Sequence, residues 1–94
     1  METKKINVIT DYYPDSDFLQ ADGFDEAIIG VVFDKVTATT RLAYSIFKCI
    51  RILVGRDNMT EEEAIEYFDF NVQGAYMGEN TPIWVDDEIL FDIK

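Results

Sequence analysis

Apolar positions recur at helical spacing in two neighbouring stretches of the chain. From Thr60 onward, Ala64, Ile65, Phe68, Val72 and Ala75 or Tyr76 define one face, while Glu62, Glu66, Asp69 and Gln73 fall on another. Thr60 and Glu63 have capping-box spacing, in which hydroxyl and carboxylate each accept the other residue's backbone N–H. Glu61, Glu62 and Glu63 add negative charge at the positive end of the helix dipole. Gly78 can adopt the left-handed stop, and Pro82 bars a return to helix, so the pattern predicts a helix from Thr60 to near Gly78. Upstream, Ser45 reads as an N-cap. It is followed by a second apolar face of Ile46, Phe47, Ile50, Leu53 and Val54, with Lys48, Arg51 and Gly55 turned away. Gly55 to Asn58 supplies a stop and a tight turn, and so short a connection predicts a helical hairpin.

The remaining apolar runs have strand character. Ala27 to Val36, AIIGVVFDKV, is nearly continuous, which predicts a strand buried on both faces at its start. Arg41 to Tyr44 can return as its hairpin partner across the threonine-rich segment from Thr37 to Thr40. Lys5 to Thr10, KINVIT, is β-branched and nearly alternating, so it is expected to be a first strand. Asp11 to Gly23 reads as an acidic loop with at most one helical turn. Ile83 to Val85 reads as a short strand, and Ile89 to Ile93 as a last strand or a tail. The predicted order is strand, strand, strand, helix, helix, strand. It implies one α+β domain over residues 1–94, a small antiparallel sheet with a two-helix hairpin packed on one face. The expected core is Ile29, Val31, Phe47, Ile50, Leu53, Ile65, Phe68, Val72 and Trp84.

The stretch from Met59 to Val85, MTEEEAIEYFDFNVQGAYMGENTPIWV, resembles small proteins encoded by bacteriophages and prophages. Those proteins carry a run like EEAxEYFxFNVxGAYxGExTPxF, preceded by one like KCIxILxxRDGM. Here Glu62 to Tyr67, Phe70 to Val72, Gly74 to Tyr76, Gly78, Glu79, Thr81 and Pro82 match the first run. Lys48, Cys49, Ile50, Ile52, Leu53, Arg56, Asp57 and Met59 match the second. Asn58 stands where the group has Gly, and both residue types tolerate turn conformations. The resemblance covers roughly the C-terminal half and extends weakly to Ile28 through Val32. It implies a phage origin and a shared fold, and it transfers no active site.

Composition narrows the class. A hydrophobic share of 48% argues against intrinsic disorder despite a formal charge of −11. The single cysteine, Cys49, allows no internal disulfide, which fits a reducing cytoplasm. No apolar run approaches the roughly 20 residues that span a bilayer, and Lys4 and Lys5 precede no apolar stretch of signal type. Asp11, Asp15, Asp17, Asp22, Asp25 and Glu26 occur without an intervening base, and from Asp57 every charge is acidic until Lys94. Such a chain should repel nucleic acid and anionic membranes and attract basic protein surfaces.

Catalytic constellations are sparse. There is no histidine, which removes the usual general base and the commonest transition-metal ligand. Cys49 lies within a helical pattern with no histidine to activate it, so it reads as a small apolar residue. Nineteen carboxylates bring acidic pairs together by chance, and none is set in a cleft signature. Asp15 and Asp17 begin an EF-hand-like spacing, but Leu19 and Gln20 stand where an oxygen ligand and the glycine belong. No metal, no cofactor and no catalytic residue is expected.

Two roles follow. The first is a non-enzymatic inhibitor in the host cytoplasm, of anti-CRISPR or anti-restriction type. It would bind a host protein's basic, nucleic-acid-binding surface by acidic mimicry of DNA, through Asp15, Asp17, Asp22 and Asp25 and through Glu62, Glu66 and Asp69. The second is a structural or housekeeping phage protein that assembles with itself or another phage protein, its acidity serving solubility.

Overall fold

The computed structural model describes residues 4–73, 78 and 80–87. The elements are α1 (Lys5–Tyr12), β1 (Ile28–Asp34), β2 (Thr39–Ser45), α2 (Ile46–Arg56), α3 (Glu61–Phe68) and β3 (Ile83–Val85). A three-residue 3-10 turn, Asp25–Ala27, precedes β1, and one wide π-helical turn, Asp69–Gln73, prolongs α3. The fold is α+β, with a three-stranded sheet and a helical hairpin of α2 and α3 that contacts it. The 89–93 segment and the positions of Gly74, Ala75 and Tyr76 lie outside the described residues.

The sheet is mixed where an antiparallel one was expected. β2 lies between its partners, pairing antiparallel with β1 (Val31 opposite Leu42) and parallel with β3 (Tyr44 opposite Trp84). A parallel pair needs a long crossover, and the α2–α3 hairpin with the segment after it supplies one. The central position of β2 also moves the expected double burial. Leu42, Ala43, Tyr44 and Ser45 are all buried, whereas β1 is an edge strand with Ile28 buried and Ile29 half-exposed beside a register shift.

Residues 5–10 form the start of a helix, not the expected first strand. Their β-branched side chains favour strand, but tertiary contacts decide. The N-cap, Lys4, makes no side-chain cap. Instead the carboxylate of Asp25 accepts from the N–H groups of Lys5 (3.2 Å) and Ile6 (3.3 Å). Ile6 and Ile9 turn towards the core at i, i+3 spacing, and Lys5 Nζ donates to the carbonyls of Glu26 (2.7 Å) and Ile28 (3.0 Å).

Both predicted caps are present. Ser45 Oγ accepts from Lys48 N–H at 3.0 Å, and Thr60 and Glu63 form the reciprocal box. Asn58 occupies the left-handed region at φ 57°, so it takes the turn geometry that glycine would supply. The α-helical part of the second helix ends at Phe68, well short of Gly78. At that point Asn71 Nδ2 donates to Tyr67 O at 3.2 Å, the carbonyl that Asn71 N–H would take in a regular α-helix. Gly78 does have positive φ, 96°.

The core brings Phe24, Ile28, Leu42, Tyr44, Cys49, Ile50, Leu53 and Phe68 together. Trp84 packs on it between two rings, 5.1 Å from Tyr44 and 5.3 Å from Phe68, the latter edge-on at 89°. Of the nine expected core residues, Ile50, Leu53 and Phe68 are buried, and Val31, Phe47, Val72 and Trp84 are partly so. Ile29 and Ile65 are exposed, at 47% and 37%. Ile29 falls at the register shift of an edge strand, and Ile65 lies a quarter-turn off the Ala64–Phe68 line that meets the sheet.

Candidate functional site

Six of the seven acidic residues singled out in the sequence are exposed: Asp15, Asp17, Asp22, Glu62, Glu66 and Asp69. Their carboxylates make no hydrogen bond or ion pair among the described residues. Asp25 differs. It is partly buried, and both its oxygens hold the N-terminus of α1, which is an internal use of the charge.

Members of the first acidic group lie near opposite ends of β2. Asp17 lines a depression with Ala38, Thr39 and Thr40, at the start of β2. Asp22 and Asp25 line a cavity of about 380 Å³ beside Tyr44, near the end of β2, together with Lys4 and Arg56. Strand rise alone puts Thr39 and Tyr44 roughly 17 Å apart. Tyr44 is fully buried and its hydroxyl accepts from Ala21 N–H at 2.9 Å, and burial pushes its ionisation above the ordinary value.

Arg56 stands where the loop approaches the second helix. Its guanidinium donates to Gly23 O at 2.6 Å, pairs with Asp57 at 3.0 Å, and lies 5.5 Å above the Phe24 ring. Asp22 and Tyr67 both act on it electrostatically. Gly23 has φ 88°, and a Cβ there would come within 3.1 Å of the guanidinium. Asp57 is correspondingly held below the usual carboxylate range by its hydrogen bond to Arg56. The acidic surface is thus interrupted here by a cation whose charge is already engaged.

The outward face of α3 and its π-helical extension carries the second acidic group and two exposed aromatics, Tyr67 and Phe70, at 42% and 77% exposure. These rings lie off the inward apolar line through Phe68 that predicts the helix. The signal was present: Tyr67 and Phe70 are spaced i, i+3 and follow Glu63 and Glu66 at i+4.

Cys49 is fully buried, and burial, then the charge of Asp87, pushes its thiol up to about 12. It is held as an inert thiol. Among the described residues, no group of three or more Asp, Glu or Cys side chains is arranged to hold a metal ion. No helix among them is long and apolar enough to cross a membrane.

One polar cluster was not legible beforehand. Asp87 accepts from the fully buried Ser45 hydroxyl and from Phe47 N–H at 3.0 Å, so it completes the cap of α2 from forty residues away. No family model, curated protein or solved structure matches this chain.

Proposed function

We propose that this chain is a non-enzymatic, acidic bacteriophage protein that binds a host protein and occludes its nucleic-acid-binding surface. The observation that carries the reading is the set of exposed, uncommitted carboxylates: Asp15, Asp17 and Asp22 on the loop, and Glu62, Glu66 and Asp69 on α3 and its extension. Carboxylates held on a folded surface can engage the Lys and Arg side chains that otherwise meet phosphates. The resemblance to phage-encoded proteins and the formal charge of −11 support the same partner chemistry. The host partner is a defence or nucleic-acid-processing protein, and the chain itself neither binds nucleic acid nor turns over a substrate.

The test is binding of a host partner across a salt series, for wild type and for charge-reversed variants. Affinity should fall as salt screens the attraction, and reversal at Asp17 and Glu62 should slow association more than it speeds dissociation. Salt-independent binding refutes the reading.

A second reading, a phage protein that assembles with itself, is favoured by one observation. Edge strand β1 exposes Ile29, Val32 and Phe33 and carries no charge before Asp34. Sedimentation separates the two, because self-association of so acidic a chain should strengthen with salt.

A further inference from the structure

The outward face of α3 forms a groove of about 340 Å³ with an unusual lining for an acidic helix. Met59, Tyr67 and Phe70 supply an apolar, aromatic floor, and Glu63 and Glu66 stand beside it. The spacing explains the geometry. Glu63, Glu66 and Tyr67 lie within one turn of α3 on its outward side, Phe70 follows on the π turn and Met59 adjoins from before the N-cap, while Ala64 and Phe68 are buried on the other side. Asn71 Nδ2, bonded to Tyr67 O, marks the change to the wider π turn that carries Phe70. Phe70 leaves 77% of its surface in solvent, a large exposure for phenylalanine on a folded helix.

We infer that this groove is a receptor for an arginine side chain of a partner protein. The chemistry fits at both ends of that side chain. The guanidinium is planar and weakly hydrated, so it can lie on the Tyr67 or Phe70 ring face while donating to a carboxylate. Glu66 makes no hydrogen bond or ion pair among the described residues. Glu63 commits Oε1 to Thr60 N–H at 3.0 Å, which fixes its position on the first turn. The aliphatic stem can run over Met59, so its methylenes leave water as the head is paired. Lysine satisfies the charge but neither stacks nor donates in a planar fork, so arginine is the preferred occupant. An anionic occupant would meet the like charges of Glu63 and Glu66, and a purely apolar one would leave Glu66 unpaired. The inference rests on the proposed basic partner and names the contact that would anchor it.

The test uses three short peptides of one sequence, carrying arginine, lysine or citrulline at the same positions. Each is titrated into the full chain and followed by backbone amide shifts. The arginine peptide should bind with shifts concentrated on residues 59–71, the lysine peptide about fivefold more weakly, and the citrulline peptide weakest of all. Phe70→Ala and Glu66→Gln should each weaken the arginine peptide about tenfold, whereas Asp11→Asn, which removes an exposed charge on α1, should change it less than about twofold. Both groove positions are exposed, and an unchanged urea midpoint verifies that the variants fold. Equal binding of arginine and lysine peptides, or equal effects of Glu66→Gln and Asp11→Asn, overturns the groove in favour of diffuse attraction. A host partner that binds the Phe70→Ala and Glu66→Gln variants as tightly as wild type, with the expected salt dependence, overturns the groove alone. Groove-specific arginine binding without any salt-dependent host partner overturns the functional reading alone.

Discussion

Replacing Asp87 by alanine removes two hydrogen bonds at once, one from the buried Ser45 hydroxyl and one from Phe47 N–H. A hydrogen bond to an ionised acceptor contributes about 1.5–3 kcal/mol, but this carboxylate is partly buried and gives up hydration to make them. The N-terminus of α2 also loses a negative charge worth about 0.3–1 kcal/mol. The net expectation is a loss of about 2–4 kcal/mol. Asp87→Asn keeps one acceptor and should lose roughly half of that. A chain of 94 residues has only roughly 5–14 kcal/mol to lose, so the alanine variant should show a clear fall in urea midpoint. Trp84 is the sole tryptophan and sits three residues before Asp87 on β3, so its emission reports the same event. Ser45→Ala and the double variant complete a cycle, and the coupling should be about 1 kcal/mol or more. An Asp87→Ala variant with the wild-type midpoint, or strictly additive effects in the cycle, would refute a cap shared between distant segments.

Other outcomes follow from single contacts. Thr60→Ala should cost about 0.5–2 kcal/mol in chemical denaturation, because it removes half of the capping box. Phe68→Ala should cost about 3–5 kcal/mol, since Phe68 is fully buried against Trp84, and it should shift the tryptophan emission as well as the midpoint. The Glu63 carboxyl is held below its ordinary 4.5 by the N–H and hydroxyl of Thr60. It therefore adds stability that is fully present above 4.5 and is lost as pH falls through the lower folded value, and Glu63→Gln should flatten the acid limb of stability against pH. The Cys49 thiol should resist alkylation at pH 8 in the native chain and react at the rate of global opening as urea is added; prompt native labelling contradicts its burial.

The helical hairpin was legible because its signals are local. Ser45, the Thr60–Glu63 pair and the Gly55–Asn58 turn each act within a few residues, so spacing alone carries them. α1 differs from the strand expected there for the opposite reason. Its N-terminus is held by Asp25, nineteen and twenty positions away, and Ile6 and Ile9 find their core only through tertiary packing. The parallel pairing of β3 is likewise invisible to a reading that proceeds one segment at a time. At the candidate site, composition pointed to the carboxylates, but only the fold shows Asp25 spent on a helix end. Tyr67 and Phe70 belong to no predicted face, because the apolar stripe runs through Phe68, and their angular offset from it turns them to solvent.

The remote caps also bear on how the chain is made. A ribosome delivers α2 long before it delivers Asp87, and it delivers β2 before the strand that pairs along its second side. Until residues 83–87 leave the exit tunnel, any hairpin of β1 and β2 lacks the partner on the second side of β2, and α2 lacks the Asp87 part of its cap. At about 5–20 residues per second, the forty-odd residues between Ser45 and Asp87 take seconds to add. That interval far exceeds the microseconds in which a hairpin forms, so the N-terminal part waits, partly assembled, for its last strand. Slowing translation within this window should lengthen exposure of the β2 edge, and a protease added to stalled ribosomes should find cleavage sites there that the released protein conceals.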